Sequence, residues 1–289
     1  MCACILTALL CGSALSDSLF LQKNTVVLSA DDGHYSIYTN VYPLLRRYGM
    51  TITLALIANT LMPDASGYSA TGSSVSIAQV REMLDSCGIE IASHTLSHPF
   101  LTRLDSSAAW SEIWRSKVIL ESIFDVPVIT FVYPYGDMDV RIRHLVRQAG
   151  YRLARAVRHG EIDFWNDCYR LPEFELRREV SLEAVQDYIR KRRNSIILFH
   201  RIVERPAYFT EWPVDKFSEL LDWLNRHGAR TTTIAGLYND WWRDQIATRL
   251  AEASSHSVLQ GWLFKEVDVD ATGTAHTRRV ERLHVLLGP

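Results

Sequence analysis

The sequence predicts an α/β protein with a parallel sheet, either barrel-like or doubly wound, and three observations carry that reading. Seven short runs rich in apolar and β-branched residues alternate with amphipathic helical patterns, which is the rhythm of βα units. The 289 residues are 47% apolar, enough for a sizeable core and too much for a disordered chain. Polar clusters fall at the ends of several strands, and in a parallel barrel those ends share one face.

The first strand runs from Thr25 to Ser29, followed by a helix around Ser36 to Tyr48 that ends at Gly49. Thr51 to Ile57 is the second strand. Ser76 opens the next helix with Gln79 three residues on, a capping-box pattern. Ile77, Val80, Leu84 and Cys87 keep helical spacing until Gly88. Ile89 to Ala92 is the third strand and Ser106 to Phe124 a Trp-containing helix. Val128 to Val132 is the fourth strand, and Ile142, Leu145, Val146 and Ala149 form a helix stripe before Gly150. Arg152 to Val157 reads as a short strand. Leu182, Val185 and Ile189 mark a helix before strand Ser195 to Phe199. Phe217, Leu220, Leu221 and Leu224 mark another, closing at Gly228 before strand Arg230 to Ile234.

Beyond about residue 245 the rhythm stops. Trp262 to Val269 and Arg279 to Leu287 read as strands around a turn at Asp270 to Gly273, so residues 246–289 form a short β-rich appendage, plausibly a hairpin. Residues 1–16 carry no charge and end in a small-residue stretch, Ala14-Leu15-Ser16, which resembles a signal peptide although no Lys or Arg precedes its apolar run. Export is the resulting expectation, with residues 17–245 as the main domain. No apolar run is long enough to span a bilayer. A net charge of −2 gives no reason to expect nucleic acid, and the Arg-rich segments at 141–158 and 190–193 read as solvated helix faces. The five cysteines show no Cys-x-x-Cys spacing and no disulfide framework. Nothing in the sequence sets an oligomeric state.

Three segments carry chemistry: Asp31-Asp32-Gly33, His94-Thr95-Leu96-Ser97-His98-Pro99 and Leu198-Phe199-His200. A carboxylate and two imidazoles are the ligands a catalytic Zn²⁺ site uses when it keeps a position open. A second carboxylate and a distant histidine would supply base and acid. Each segment alone has a plainer reading. Asp-Asp-Gly suits any turn, and a histidine pair or a histidine ending an apolar strand is commonly structural.

Taken in order, Ser29-Ala30-Asp31-Asp32-Gly33, the His94 to Pro99 motif, Tyr133-Pro134-Tyr135-Gly136 and Leu198-Phe199-His200 resemble the motifs of the polysaccharide deacetylase family with the NodB homology domain, carbohydrate esterase family 4. The resemblance covers roughly residues 24–240. It implies a distorted (β/α) barrel of about seven parallel strands and hydrolysis of an N- or O-acetyl group on a carbohydrate. Carried over by motif position, Asp32, His94 and His98 would hold a divalent metal, Zn²⁺ first and Co²⁺ or another first-row ion as alternatives. Asp31 would be the general base and His200 the general acid. Tyr135 would lend its backbone N–H to the oxyanion hole, with Pro134 and Leu198 lining the acetyl pocket. The implied partner is an acetylated glycan, with N-acetylglucosamine units preferred over acetyl-xylan.

Two departures from the family pattern stand out. Many members carry an arginine ahead of the Pro-Tyr-Gly turn, where it orients the base; this chain has Val132 and Tyr133 there. A later Leu-Pro-Arg-like site reads Leu171-Pro172-Glu173. Arg170 or Arg201 are candidates to replace the missing arginine, and Asp163, Asp167 or Glu173 to pair with His200. These departures keep a carbohydrate-binding protein without activity as the rival reading. Trp165 and Trp212 would either wall a sugar site or pack between helices.

Overall fold

The computed structural model describes residues 24–61, 73–255, 265–269 and 275–279. Seven parallel strands form the main path of the sheet there; six of them are expected, and the seventh expected strand, Arg230 to Ile234, pairs off that path. β1 (Thr25–Ala30), β2 (Thr53–Leu56), β3 (Glu90–Ser93), β4 (Thr130–Val132), β5 (Leu153–Arg155), β6 (Phe174–Glu175) and β7 (Asn194–Phe199) bond in the order β5-β4-β3-β2-β1-β7-β6, all in parallel. β8 (Arg201–Val203) and β9 (Glu211–Pro213) make a separate parallel ribbon, and β10 (Arg230–Thr232) pairs with the first half of β1. The sheet curls because residues 171–176 bond to both of its edges. Leu171 exchanges bonds with Ala154 and Ala156 beside β5, while Leu176 N–H donates to Leu198 O at 2.7 Å beside β7. β6, β8 and β9 are two or three residues long, too short for any periodicity to reveal.

The helices are α1 (Tyr42–Tyr48), α2 (Ile77–Cys87), α3 (Ser106–Phe124), α4 (Val140–Gln148), α5 (Phe164–Asp167), α6 (Leu182–Arg190), α7 (Val214–Arg226) and α8 (Ile234–Ser255). The capping box at Ser76 and Gln79 forms as expected. Asp105, Asp139 and Ser181 cap α3, α4 and α6 in the same sense, each accepting a backbone N–H of the first turn. The helix expected from Ser36 differs at its start. Residues Ile37–Val41 form a π-turn in which Tyr42 N–H reaches back to Ile37 O. Pro43 has no N–H to continue an α-helical ladder there, so the turn widens before α1 begins.

Strand alternation sorts the side chains into two environments. Val26, Leu28, Ala30, Leu54, Leu56, Ile91, Phe131, Ala154, Ile197 and Phe199 join the large core with the helices. The opposite face is small, with Ala55, Ala92 and Val132 touching one another. Register extends this inner face: Ser29 lies beside Leu198, Leu198 beside Glu175, and Val132 beside Arg155. Two residues further along the same face, at the carboxyl ends of β1, β3 and β7, come Asp31, His94 and His200.

By contact density the chain divides into two compact units, Met1–Asn239 and Asp240–Pro289. In the second, β11 (Lys265–Val269) pairs antiparallel with β12 (Ala275–Arg279), so the second strand starts earlier than the expected Arg279 to Leu287. Residues 280–289 and the signal-like stretch 1–16 lie outside the described residues. No described helix is long and apolar enough to cross a membrane.

Candidate active site

Asp31 and Asp32 leave β1 in a tight turn. Gly33 has φ +66°, a conformation that favours glycine, and a Cβ there would meet the end of the Leu56 side chain, Cδ2, at 2.6 Å. Asp32 itself holds φ 68°. Of the five non-glycine residues with positive φ among those described, four are Asp32, Thr95, His98 and Tyr135; the fifth, Asp125, caps α3. For Thr95, a β-branched residue, this is a costly conformation. Backbone strain is thus concentrated where the sequence motifs lie.

His94 is buried at the end of β3. Its Nδ1–H donates to Val132 O at 2.9 Å, which leaves the Nε2 lone pair facing inward. His98 Nε2 lies 3.0 Å from it, and Asp32 Oδ1 lies 3.5 Å from His94 Nε2 and 3.6 Å from His98 Nε2. Ligand atoms of all three residues fall within 4.8 Å of one another. Burial, then the neighbouring His94, push the His98 pKa down to about 4, so its imidazole is neutral near pH 7. Two imidazoles and a carboxylate facing one point are the donor set of a divalent ion with open positions, and the residues present fit that group. The loop between the histidines is held from behind. Glu112 on α3 accepts from Leu96 N–H at 3.0 Å, Ser97 N–H at 2.9 Å and Ser97 Oγ at 2.7 Å. Thr95 Oγ1 accepts from His98 N–H at 2.8 Å.

Asp31 is buried, and its partner is Arg155, whose guanidinium bonds Oδ2. Burial alone would raise the Asp31 pKa; the charges of Arg155, His94 and His200 outweigh it and hold the carboxyl below its ordinary value. Arg155 is 1% exposed and comes from β5. Neither Arg170 nor Arg201 takes this place. Arg170 pairs with Asp167 at 2.7 Å and Arg201 with Glu211 at 3.6 Å. Within Leu153-Ala154-Arg155, Arg155 lies opposite in sense to the core residue Ala154, on the inner face beside Val132.

His200 follows β7, with Nδ1 3.5 Å from Glu175 Oε1, an ion-pair rather than a hydrogen-bond separation. Glu175 is in turn held by Arg177, whose nitrogens lie 2.6 and 2.7 Å from Oε2. The expected partners of His200 therefore give way to Glu175. Asp163 instead caps α5 by accepting from Trp165 and Asn166 N–H, and Asp167 meets Arg170. Glu173 is buried close to Arg155 and Glu175. Burial first, with the nearby carboxylates of Glu175 and Asp31, pushes its pKa up to about 7. Asp31 Oδ1, Arg155 Nε and Nη1, Glu173 Oε2 and His200 Nδ1 are all buried without a hydrogen-bond partner among the described residues.

Pro134 to Gly136 form a 3₁₀ turn after β4. The Tyr135 ring lies 4.6 Å from the His98 ring and stacks on Phe100 at 4.0 Å. Gly136 has φ +67°, and a Cβ there would lie 2.9 Å from Val157 N, so this turn can sit against the chain leaving β5 only with glycine. Pro134 and Leu198 are buried, Leu198 on the inner face beside Ser29. The turn and strand ends therefore gather Asp31, Asp32, His94, His98, Tyr135 and His200 at one end of the sheet. The tryptophans divide: Trp165 is exposed, but Trp212 is 0% exposed with Nε1–H donating to Val180 O, a core residue and no sugar wall.

Residues 21–154 match the polysaccharide deacetylase family model. YxkH of Bacillus subtilis, assigned by name to the polysaccharide deacetylases, is 26% identical over 168 residues, covering 58% of this chain and 57% of YxkH. Chitin deacetylase 1 of Cryptococcus neoformans var. grubii is 28% identical over 144 residues, covering 48% of this chain and 28% of that protein. The chain thus spans little more than half of the first relative and under a third of the second. Among solved structures, peptidoglycan deacetylase PdaC from Bacillus subtilis superposes with a TM-score of 0.54 at 21% identity, covering 79% of this chain and 96% of PdaC. The Xyl-CE4 domain of a multidomain xylanase from the hindgut metagenome of Trinervitermes trinervoides gives 0.53 at 17%, covering 75% and 90%. At these identities the likeness is one of fold.

Proposed function

We propose that the chain, whose residues 21–154 match the polysaccharide deacetylase family model, is a metal-dependent hydrolase removing N-acetyl groups from a carbohydrate polymer or oligosaccharide containing N-acetylglucosamine. The observation that carries the reading is the convergence of Asp32, His94 and His98, with the buried Asp31 next to them. A divalent ion held by these three residues, Zn²⁺ in first place, would act as a Lewis acid toward the acetyl carbonyl and an attacking water.

The remaining steps belong to the chain. Asp31, kept ionised by Arg155, takes the proton of the water as its oxygen bonds the carbonyl carbon. The Tyr135 backbone N–H donates to the resulting oxyanion, a contribution of roughly 3 kcal/mol for one such donor. Pro134 and Leu198 wall the acetyl methyl group. His200, steadied by Glu175, gives a proton to the nitrogen as the C–N bond breaks, leaving acetate and a free amine. Export belongs to the same proposal: the uncharged N-terminal stretch supports it, as does the peptidoglycan named for PdaC.

The test is acetate release from a panel of acetylated oligosaccharides, with and without chelator and with metal restored. Release from N-acetylated members, lost on chelation and regained with Zn²⁺ or Co²⁺, is expected. Release only from O-acetylated xylan would move the assignment to an esterase. Metal-loaded protein that binds glycan but releases no acetate would overturn the enzyme reading.

A further inference from the structure

Between β8 and β9, residues 204–210 carry two neighbouring aromatic side chains that the chemistry above leaves unused. Tyr208 is 65% exposed and Phe209 64%. Their loop is built rather than loose. Glu211 accepts from Ala207 N–H at 2.6 Å and Tyr208 N–H at 2.9 Å; Arg178 donates from Nη1 to Ala207 O at 2.7 Å and from its backbone to Phe209 O at 3.0 Å. Two neighbouring aromatic rings held in water by a fixed backbone present flat apolar faces on which a ligand could stack.

The loop is tied to the acid end of the site. The Arg177 guanidinium lies 5.7 Å from the Phe209 ring centre and grips Glu175, which faces His200. Arg201, next to His200, lies 5.9 Å from the Tyr208 ring centre. On the other side of β1 in the sheet order, the stacked pair Phe100 and Tyr135 adjoins His98. From β4 to β7 there are four strand spacings, about 19 Å along the curl, more than one sugar ring covers. Around the loop Arg177 pairs with Glu175, Arg178 with Glu179 and Arg201 with Glu211, and within it the exposed Glu204 and Arg205 carry one charge of each sign. This surface offers apolar ring area with its charge balanced, which suits a neutral glycan and not a polyanion.

We propose that Tyr208 and Phe209 form a subsite for the sugar ring next to the one being deacetylated, on the His200 side, and that the subsite selects an uncharged acetylated chain. This rests on the deacetylase reading. The experiment compares full-length wild type with a Tyr208→Ala, Phe209→Ala double variant on two substrates, an N-acetylglucosamine tetramer and 4-nitrophenyl acetate. Both side chains are exposed, and circular dichroism checks the fold. The ratio of kcat/KM on tetramer to kcat/KM on ester should fall about tenfold, the size expected for a lost aromatic contact, and Phe209→Trp restored beside Tyr208 should recover it. At low salt an acidic N-acetylated oligosaccharide of the same length should be turned over no better than the tetramer. An unchanged ratio, with wild type active on the tetramer, overturns the subsite alone. A preference for the acidic chain that fades as salt rises overturns its neutral assignment. Wild type that releases no acetate from the tetramer overturns the deacetylase reading, and the subsite falls with it.

Discussion

The metal-ligand side of the site and its acid–base side are built on different plans. Asp32, His94 and His98 come from two strand ends, within strained turns, and their donors point at one another from the outset. The local devices that hold them are short-range: a glycine in the left-handed region, a threonine hydroxyl, and one carboxylate, Glu112, that collects three donors of the histidine loop. Asp31 and His200 instead depend on Arg155, Glu173, Glu175 and Arg177, spread over β5, β6 and the chain beyond, and several of their buried polar atoms lack partners. A ligand set has to preserve identity and spacing together, because three lone pairs must meet at one point. A supporting charge only has to arrive at the right place, and any inward-facing position on a neighbouring strand can deliver it. That is why the arginine can be absent before Pro134 and present at the end of β5.

The contrast can be probed by disabling one side at a time. The largest effect is expected at Arg155. Arg155→Met leaves the Asp31 carboxylate buried without its cation, at a cost of roughly 3–5 kcal/mol in urea unfolding at pH 7. With Arg155 present, the lowered Asp31 pKa contributes stability above the ordinary carboxylate range that is lost as pH falls through the folded value. Without it burial dominates, so the acid limb of the pH–rate profile should move to higher pH. A profile that stays in place would mean Arg155 does not govern the base. On the metal side, Glu112→Ala frees the histidine loop and should weaken metal binding about 10–100-fold by competition with a chelating dye, with Asp31 unaffected.

Glu173 gives a pH signature of its own. The folded protein retains its proton between 4.5 and about 7, where the unfolded chain has released it, so stability should decline as pH rises through that window. Glu173→Gln should flatten that decline in unfolding curves taken from pH 5 to 8. The smallest effect belongs to a site remote from both sides. Ser76→Ala removes one arm of the α2 capping box and should cost about 1 kcal/mol in thermal unfolding while leaving acetate release unchanged.

How much of this could be read in advance follows the same division. Helix α3 is found at its expected bounds because Asp105 and a long apolar stripe mark it, and the strand ends that carry the motifs fall where alternation places them. The three proposed metal ligands lie in two compact motifs, at the ends of β1 and β3, which the structure brings together. Arg155 and Glu175 carry no motif. Their roles depend on strand register, Val132 beside Arg155 and Leu198 beside Glu175, which exists only once the sheet is assembled. Trp212 shows the converse. Read as either a sugar wall or a packing residue between helices, it lies on β9 with its indole in the core, while Tyr208 and Phe209 hold the surface.

The division of labour between the neighbouring carboxylates is best tested by Asp31→Asn, measured for metal content and acetate release on one sample. In the proposed mechanism Asp31 is the base and not a ligand, so the variant should retain one equivalent of divalent metal while turnover of an N-acetylated oligosaccharide falls roughly 10²–10⁴-fold. A variant that keeps its metal and its activity, or loses both together, would contradict the account.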